Sequence, residues 1–136
     1  MSTRQYPVPP EDEDNRPMLD AWREGRLVLP ECQNCGRAFF YPRPLCPHCW
    51  SDALGWREAS GEATIVSFSL VRRPNDPAFF DEAPIVFAEL MLAEGVPMLA
   101  RIVDVAPESV ASGMRVSLVR PPRAARYGLP TFSPQP

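Results

Sequence analysis

Residues 31–50 read ECQNCGRAFFYPRPLCPHCW and hold all four cysteines of the 136-residue chain. They fall into two Cys-x-x-Cys pairs, Cys32 with Cys35 and Cys46 with Cys49, separated by ten residues. The spacing has three readings: a metal site, a disulfide frame, or a thiol oxidoreductase. Zn²⁺ takes four thiolates in a tetrahedron, and each pair presents two sulfurs from one tight turn with backbone N–H groups at hand. Gly36 directly follows the first pair, where the missing Cβ relieves the turn. The intervening GRAFFYPRPL is long enough for a short hairpin that returns the second pair to the first, and its length suits a compact zinc ribbon.

The rival readings are weaker. Cys-Pro-His-Cys occurs in oxidising thioredoxin-fold enzymes, but there the first cysteine opens a long helix within a βαβ unit. Here WSDALGWREASGEAT follows, without a long amphipathic helix, and a second pair stays unexplained. Disulfides are not expected in a chain whose first residues, MSTRQYPVPPEDEDNRP, lack the apolar core of an export signal. The expected site is therefore closed and structural, with Cys32, Cys35, Cys46 and Cys49 as Zn²⁺ ligands and no open position for substrate. His48 is the only histidine and is read as a solvent-facing residue of the turn. No Ser–His–Asp set, phosphate loop or metalloprotease motif can be assembled, so no catalytic residue is expected.

Working outward, residues 1–16 form an acidic, proline-rich arm read as flexible. PMLDAWREGRL, residues 17–27, reads as a short helix with Pro17 in its first turn and Gly25 at its end. Met18, Leu19 and Trp22 share one face, which must dock on the chain itself or on a partner. Beyond Trp56 the pattern turns to strands. In GEATIVSFSLVRR, alternation places Thr64, Val66, Phe68 and Leu70 on one side. PIVFAELML and VPMLARIVDV follow as a hairpin around Ala93–Glu94–Gly95, then GMRVSLVR, then a short edge in YGLPTFSPQP. The expected fold is mainly β: an N-terminal short helix and rubredoxin-like zinc ribbon over 17–54, then a small five-stranded OB-fold barrel over 55–136.

Composition limits the function. The 18 prolines exclude long helices, and no run of apolar residues is long enough to span a membrane, so a soluble, cytoplasmic protein is expected. The net charge is −3, all 14 basic residues are arginine, and no acid follows Glu108. Zinc ribbons and OB barrels also bind single-stranded nucleic acid, which is the alternative reading. That function wants a basic groove with stacking aromatics, and this acidic, lysine-free chain offers few.

The order of elements carries a resemblance. A Trp-bearing helix leads to LPECQNCGRAFFYPRPLCPHC, then LGWREASGEATIVSFSLVRRP, then PIVFAELMLAEGVPMLARIVD, and a terminal LPTFSP. From about Pro17 to Pro134 this resembles the acyl-CoA-associated family of zinc-ribbon and OB-fold proteins, long catalogued as a domain of unknown function. The resemblance implies a non-catalytic accessory subunit in a hetero-oligomer with a thiolase-like enzyme (thiolase, acyltransferase or retro-aldolase) or a hot-dog-fold hydratase. It also implies help in binding or positioning an acyl-CoA, in settings such as steroid side-chain or aromatic-acid degradation. Arginine forks suit the phosphates of CoA, and Arg72, Arg73, Arg101, Arg120, Arg123 and Arg126 are the charge-based candidates. Trp22, Phe79 and Phe80 are the candidate partner or acyl-chain contacts.

Overall fold

The computed structural model describes residues 6–121 and 123–135. The short helix α1 (Arg16–Arg23) begins one residue earlier than expected and buries Met18, Leu19, Ala21 and Trp22. An eight-residue helix is not stable alone, so this packing holds it. It ends at Arg23, four residues before the expected end, and Gly25, with φ +79°, donates its N–H to the Trp22 carbonyl at 2.8 Å. A Cβ there would also lie 2.4 Å from Pro121 Cγ, so the helix end and the C-terminal segment require glycine together.

After α1 the chain forms β1 (Val28–Cys32), passes through the cysteine segment, and returns as β2 (Leu54–Glu58), antiparallel to β1 from Val28↔Glu58 to Cys32↔Leu54. This two-stranded sheet is absent from the sequence reading. It clamps both ends of the ribbon, and residues 59–61 connect β2 to the first barrel strand.

The barrel closes in the order β3-β4-β5-β7-β6. Its strands are β3 (Glu62–Val71), β4 (Ile85–Leu92), β5 (Pro97–Ile102), β6 (Arg115–Leu118) and β7 (Thr131–Pro134), the five expected. Every pairing is antiparallel except β5 with β7, where Arg101↔Thr131 and Ile102↔Phe132 run parallel. In β4 and β5 the side chains alternate: Val86, Ala88, Leu90, Met98, Ala100 and Ile102 point inward, while Phe87, Glu89, Met91 and Leu99 point out. Phe132 of β7, fully buried, fills the centre, and Trp22, Leu27 and Leu29 extend the same core beneath the barrel.

The face assigned to β3 needs correction. Its ladder with β4 shifts register between Ile65 and Ser67. A bulge inserts one extra residue and exchanges the faces on either side of it. Ala63 and Ile65 are buried before the bulge, whereas Phe68 and Leu70 stand opposite Ala88 and Val86 after it. Thr64 therefore faces outward opposite Met91, and Val66, at the bulge, is 46% exposed. Among the described residues no helix is long and apolar enough to cross a membrane.

Candidate functional site

The four cysteines converge, with all four Sγ atoms within 4.8 Å of one another. Cys32 Sγ lies 3.5 Å from Cys49 Sγ and Cys35 Sγ lies 3.7 Å from Cys46 Sγ. These separations exclude disulfides, whose sulfurs stand about 2.05 Å apart. They match the edges of a tetrahedron with metal–sulfur bonds of about 2.3 Å, which are about 3.8 Å long. Backbone N–H groups point at the sulfurs, from Asn34 and Cys35 to Cys32 Sγ at 3.4 Å each and from His48 to Cys46 Sγ at 3.3 Å. The Cys35 N–H, with that of Asn34, lowers the Cys32 thiol to about 6. An N–H of Ser51 and the Asn34 side chain lower Cys49. Burial and the neighbouring sulfurs push Cys35 the other way, to about 11, so it is the convergence of the four sulfurs that positions them to bind a metal ion, and the donor set fits Zn²⁺ with no position left over. His48 is exposed and stands 3.3 Å from Arg37 through Nδ1, outside the ligand set.

The two knuckles are built alike. After Cys32–Cys35, Gly36 has φ +79° and donates to the Cys32 carbonyl at 2.9 Å. After Cys46–Cys49, Trp50 takes the equivalent place, with φ +69° and a 2.9 Å bond to the Cys46 carbonyl. A left-handed conformation is natural to glycine and costs an ordinary residue about 1–2 kcal/mol. Trp50 is nevertheless 76% exposed, and Leu45, on the other side of the knuckle, is 39% exposed.

A second constellation joins the arm to the barrel. Tyr6 lies between Phe79 and Tyr127, with ring centroids 5.0 and 6.0 Å away and nearly parallel planes. Its hydroxyl donates to the Glu82 carboxylate at 2.6 Å and accepts from Arg126 Nη2 at 3.0 Å. Arg101 Nη2 bonds Glu82 at 2.7 Å, and its guanidinium lies about 6 Å from the rings of Tyr6, Phe79 and Tyr127. Burial alone would raise the Glu82 carboxyl, but the Tyr6 hydroxyl and the two guanidiniums outweigh it and hold it below the usual range. Desolvation, then the neighbouring Glu82, raises the Tyr6 phenol. The arm is thus packed from Tyr6 onward; Asn15, 3% exposed, donates to the Pro10 carbonyl at 2.8 Å and to the Tyr41 hydroxyl at 3.0 Å.

Beside this cluster runs an apolar groove of about 420 Å³ between the ribbon's Phe40–Tyr41 and the outer face of β4–β5. Phe87, Leu99 and Leu129 form its lip, and Arg101 is its one charged lining residue.

The candidate contacts separate accordingly. Trp22, read as a partner or acyl-chain contact, is corrected: it is 2% exposed and donates its indole N–H to the Tyr127 carbonyl at 2.7 Å, because the helix face that carries it docks on this chain's own core. Phe79 is half-buried against Tyr6, while Phe80 is 56% exposed. The six arginines do not form one patch. Arg101 and Arg126 share Glu82, Arg123 is paired with Asp104 at 2.6 Å, and Arg120 reaches the Ser60 carbonyl at 3.4 Å. Arg72 and Arg73 are exposed just past the end of β3. The sequence reading missed Tyr6, Glu82 and Trp50. Only the positive φ required one residue after a Cys-x-x-Cys turn, already visible at Gly36, pointed to the last of them.

A tetrathiolate ribbon clamped to a closed five-stranded barrel defines a zinc-ribbon and OB-fold protein. Residues 19–55 match the ChsH2 rubredoxin-like zinc ribbon domain, and residues 56–120 match the ChsH2 C-terminal OB-fold domain. The chain belongs to the DUF35 family: it is 36% identical over 95 residues to a DUF35 domain-containing scaffold protein of Pyrococcus furiosus, covering 69% of this chain and 68% of that one. It is also 34% identical over 128 residues to a probable enoyl-CoA hydratase alpha subunit of Thermomonospora curvata, covering 94% of this chain but only 40% of that longer relative. Among solved structures, a chain of the Ltp2-ChsH2(DUF35) aldolase superposes with a TM-score of 0.77 at 33% identity, covering 93% of this chain and 98% of that one.

Proposed function

We propose that this protein is a non-catalytic accessory subunit that docks on a thiolase-like enzyme, or on a hot-dog-fold hydratase, and helps it position an acyl-CoA. The observation that carries this reading is the likeness, over nearly its whole length, to a chain of an aldolase assembly. The site chemistry supports it. All four cysteines lie in one cluster and the only histidine pairs with an arginine, so the described residues leave no cysteine–histidine pair of the kind thiolase chemistry uses. The groove beside Phe40 and Leu99 suits the apolar part of an acyl thioester, and Arg72 and Arg73 suit its phosphates.

The test is co-purification of the tagged protein from its native cell extract, with mass spectrometry of what accompanies it. A thiolase-like or hydratase subunit is expected. Recovery of nucleic acid or ribosomal material instead refutes the accessory role, as does turnover of an acyl-CoA by the isolated protein.

A further inference from the structure

Arg101 is the one charged side chain that lines the apolar groove, and only part of it is partnered. Its Nη2 donates to Glu82 at 2.7 Å, but Nε and Nη1 are buried and have no hydrogen-bond partner among the described residues. A buried donor left unmade carries its full desolvation cost, so two on one guanidinium call for an acceptor from outside the cluster. The acceptors within it are engaged. The Glu82 carboxylate serves Arg101, Arg126 and the Tyr6 hydroxyl, and that hydroxyl in turn accepts from Arg126.

Three rings surround the guanidinium at about 6 Å, those of Tyr6, Phe79 and Tyr127. Phe79 and Tyr127 belong to the connections between barrel strands, whereas Tyr6 reaches in from the arm. Residues 6–10 form neither helix nor strand. They are held by the Tyr6 ring and hydroxyl and by Pro9, whose Cδ would lie 3.1 Å from a Cβ on Gly128. Lifting Tyr6 therefore breaks no barrel ladder, and it opens the two unmatched donors toward the groove. The groove's volume of about 420 Å³ falls within the range of small-molecule sites, and its lip of Phe87, Leu99 and Leu129 is apolar.

We infer that this groove is a binding site for an apolar carboxylic acid, whose hydrocarbon lies along Phe87, Leu99 and Leu129 and whose carboxylate displaces Tyr6 to meet the free donors of Arg101. A carboxylate is the acceptor that a guanidinium in apolar surroundings binds most strongly, through charge-assisted hydrogen bonds. Tyr6 is then a built-in competitor that covers the site when no acid is bound. The inference goes beyond the accessory reading and does not rest on it, because it concerns a free acid and this chain by itself.

The probe is octanoate, with octanol as its uncharged counterpart, each titrated into the full-length protein by calorimetry. Octanoate should bind about tenfold tighter than octanol or more, the factor expected of one hydrogen bond between charged groups. Arg101→Met should erase that preference, and Tyr6→Ala, which removes the competitor, should tighten octanoate several-fold. Equal affinity for octanoate and octanol in the wild type overturns the inference without recourse to any variant. A preference that survives in folded Arg101→Met also overturns it. So does weaker octanoate binding in Tyr6→Ala, which would make the tyrosine part of the site. Binding of octanoyl-CoA with none of octanoate refutes the free acid and returns the groove to the acyl thioester. Each of these failures leaves the accessory role standing, since co-purification decides that separately.

Discussion

Cys46→Ser removes a fully buried sulfur from the cluster, and its consequence can be estimated from what else holds the ribbon together. Beside Cys32 and Cys46, the ribbon's buried cluster contains only Phe39, with Cys49 and Leu54 partly covered against it. Burying one phenylalanine contributes about 1.5–3 kcal/mol. A structural zinc contributes about 10–16 kcal/mol of binding free energy in small peptides, and that binding is also folding. Metal coordination therefore dominates the order of residues 33–53, and the apolar cluster cannot replace it. Changes to groups that only hydrogen-bond a ligand weaken metal affinity about 10–100-fold, so loss of a thiolate should exceed that. The barrel has its own core around Leu90, Met98, Val116 and Phe132 and should stand. Zinc analysis with hydrogen exchange resolved by mass spectrometry tests both halves. The variant should arrive without stoichiometric zinc, with protection lost through the ribbon and the β1–β2 ladder but kept in the β4–β5 hairpin. Full zinc retention would refute the ligand assignment, and equal loss of protection in β4–β5 would refute the independence of the barrel.

Two further outcomes follow from named contacts. Trp22→Phe keeps most of the buried area but leaves the Tyr127 carbonyl without its 2.7 Å donor, so it should cost about 1–3 kcal/mol in denaturant unfolding; a change within error would mean that water or another donor replaces the indole. The arm should loosen in acid. The folded Glu82 carboxyl is depressed, so its contribution is complete above the unfolded value of about 4.3 and is lost as pH falls through the lower folded value. Hydrogen exchange around Tyr6–Glu11 should then rise below that pH, and Glu82→Gln should remove the dependence; an identical acid profile in that variant would assign the effect elsewhere.

The fold was legible because its signals are local and redundant. Two Cys-x-x-Cys turns ten residues apart leave a soft metal little alternative, and β4 and β5 alternate without interruption around a glycine turn. The reading failed where one residue changed the phase or where distant segments met. The bulge between Ile65 and Ser67 leaves no trace in composition, yet it turned Thr64 outward. Trp22 carries equal apolar character whether it faces a partner or its own core, and only the position of Tyr127 decided between them.

The sequence by itself determined the cysteine cluster, the five barrel strands and the presence of helix α1, though not where α1 ends, since each depends on residues close together in the chain. Tertiary structure alone decided what those elements carry between them. Tyr6 meets Glu82 and Arg126 across 76 and 120 positions of sequence, and the groove forms only because the ribbon's Phe40–Tyr41 comes to rest over β5. Such meetings depend on the closure of the barrel and the angle of the β1–β2 clamp, and no local pattern of residues encodes either.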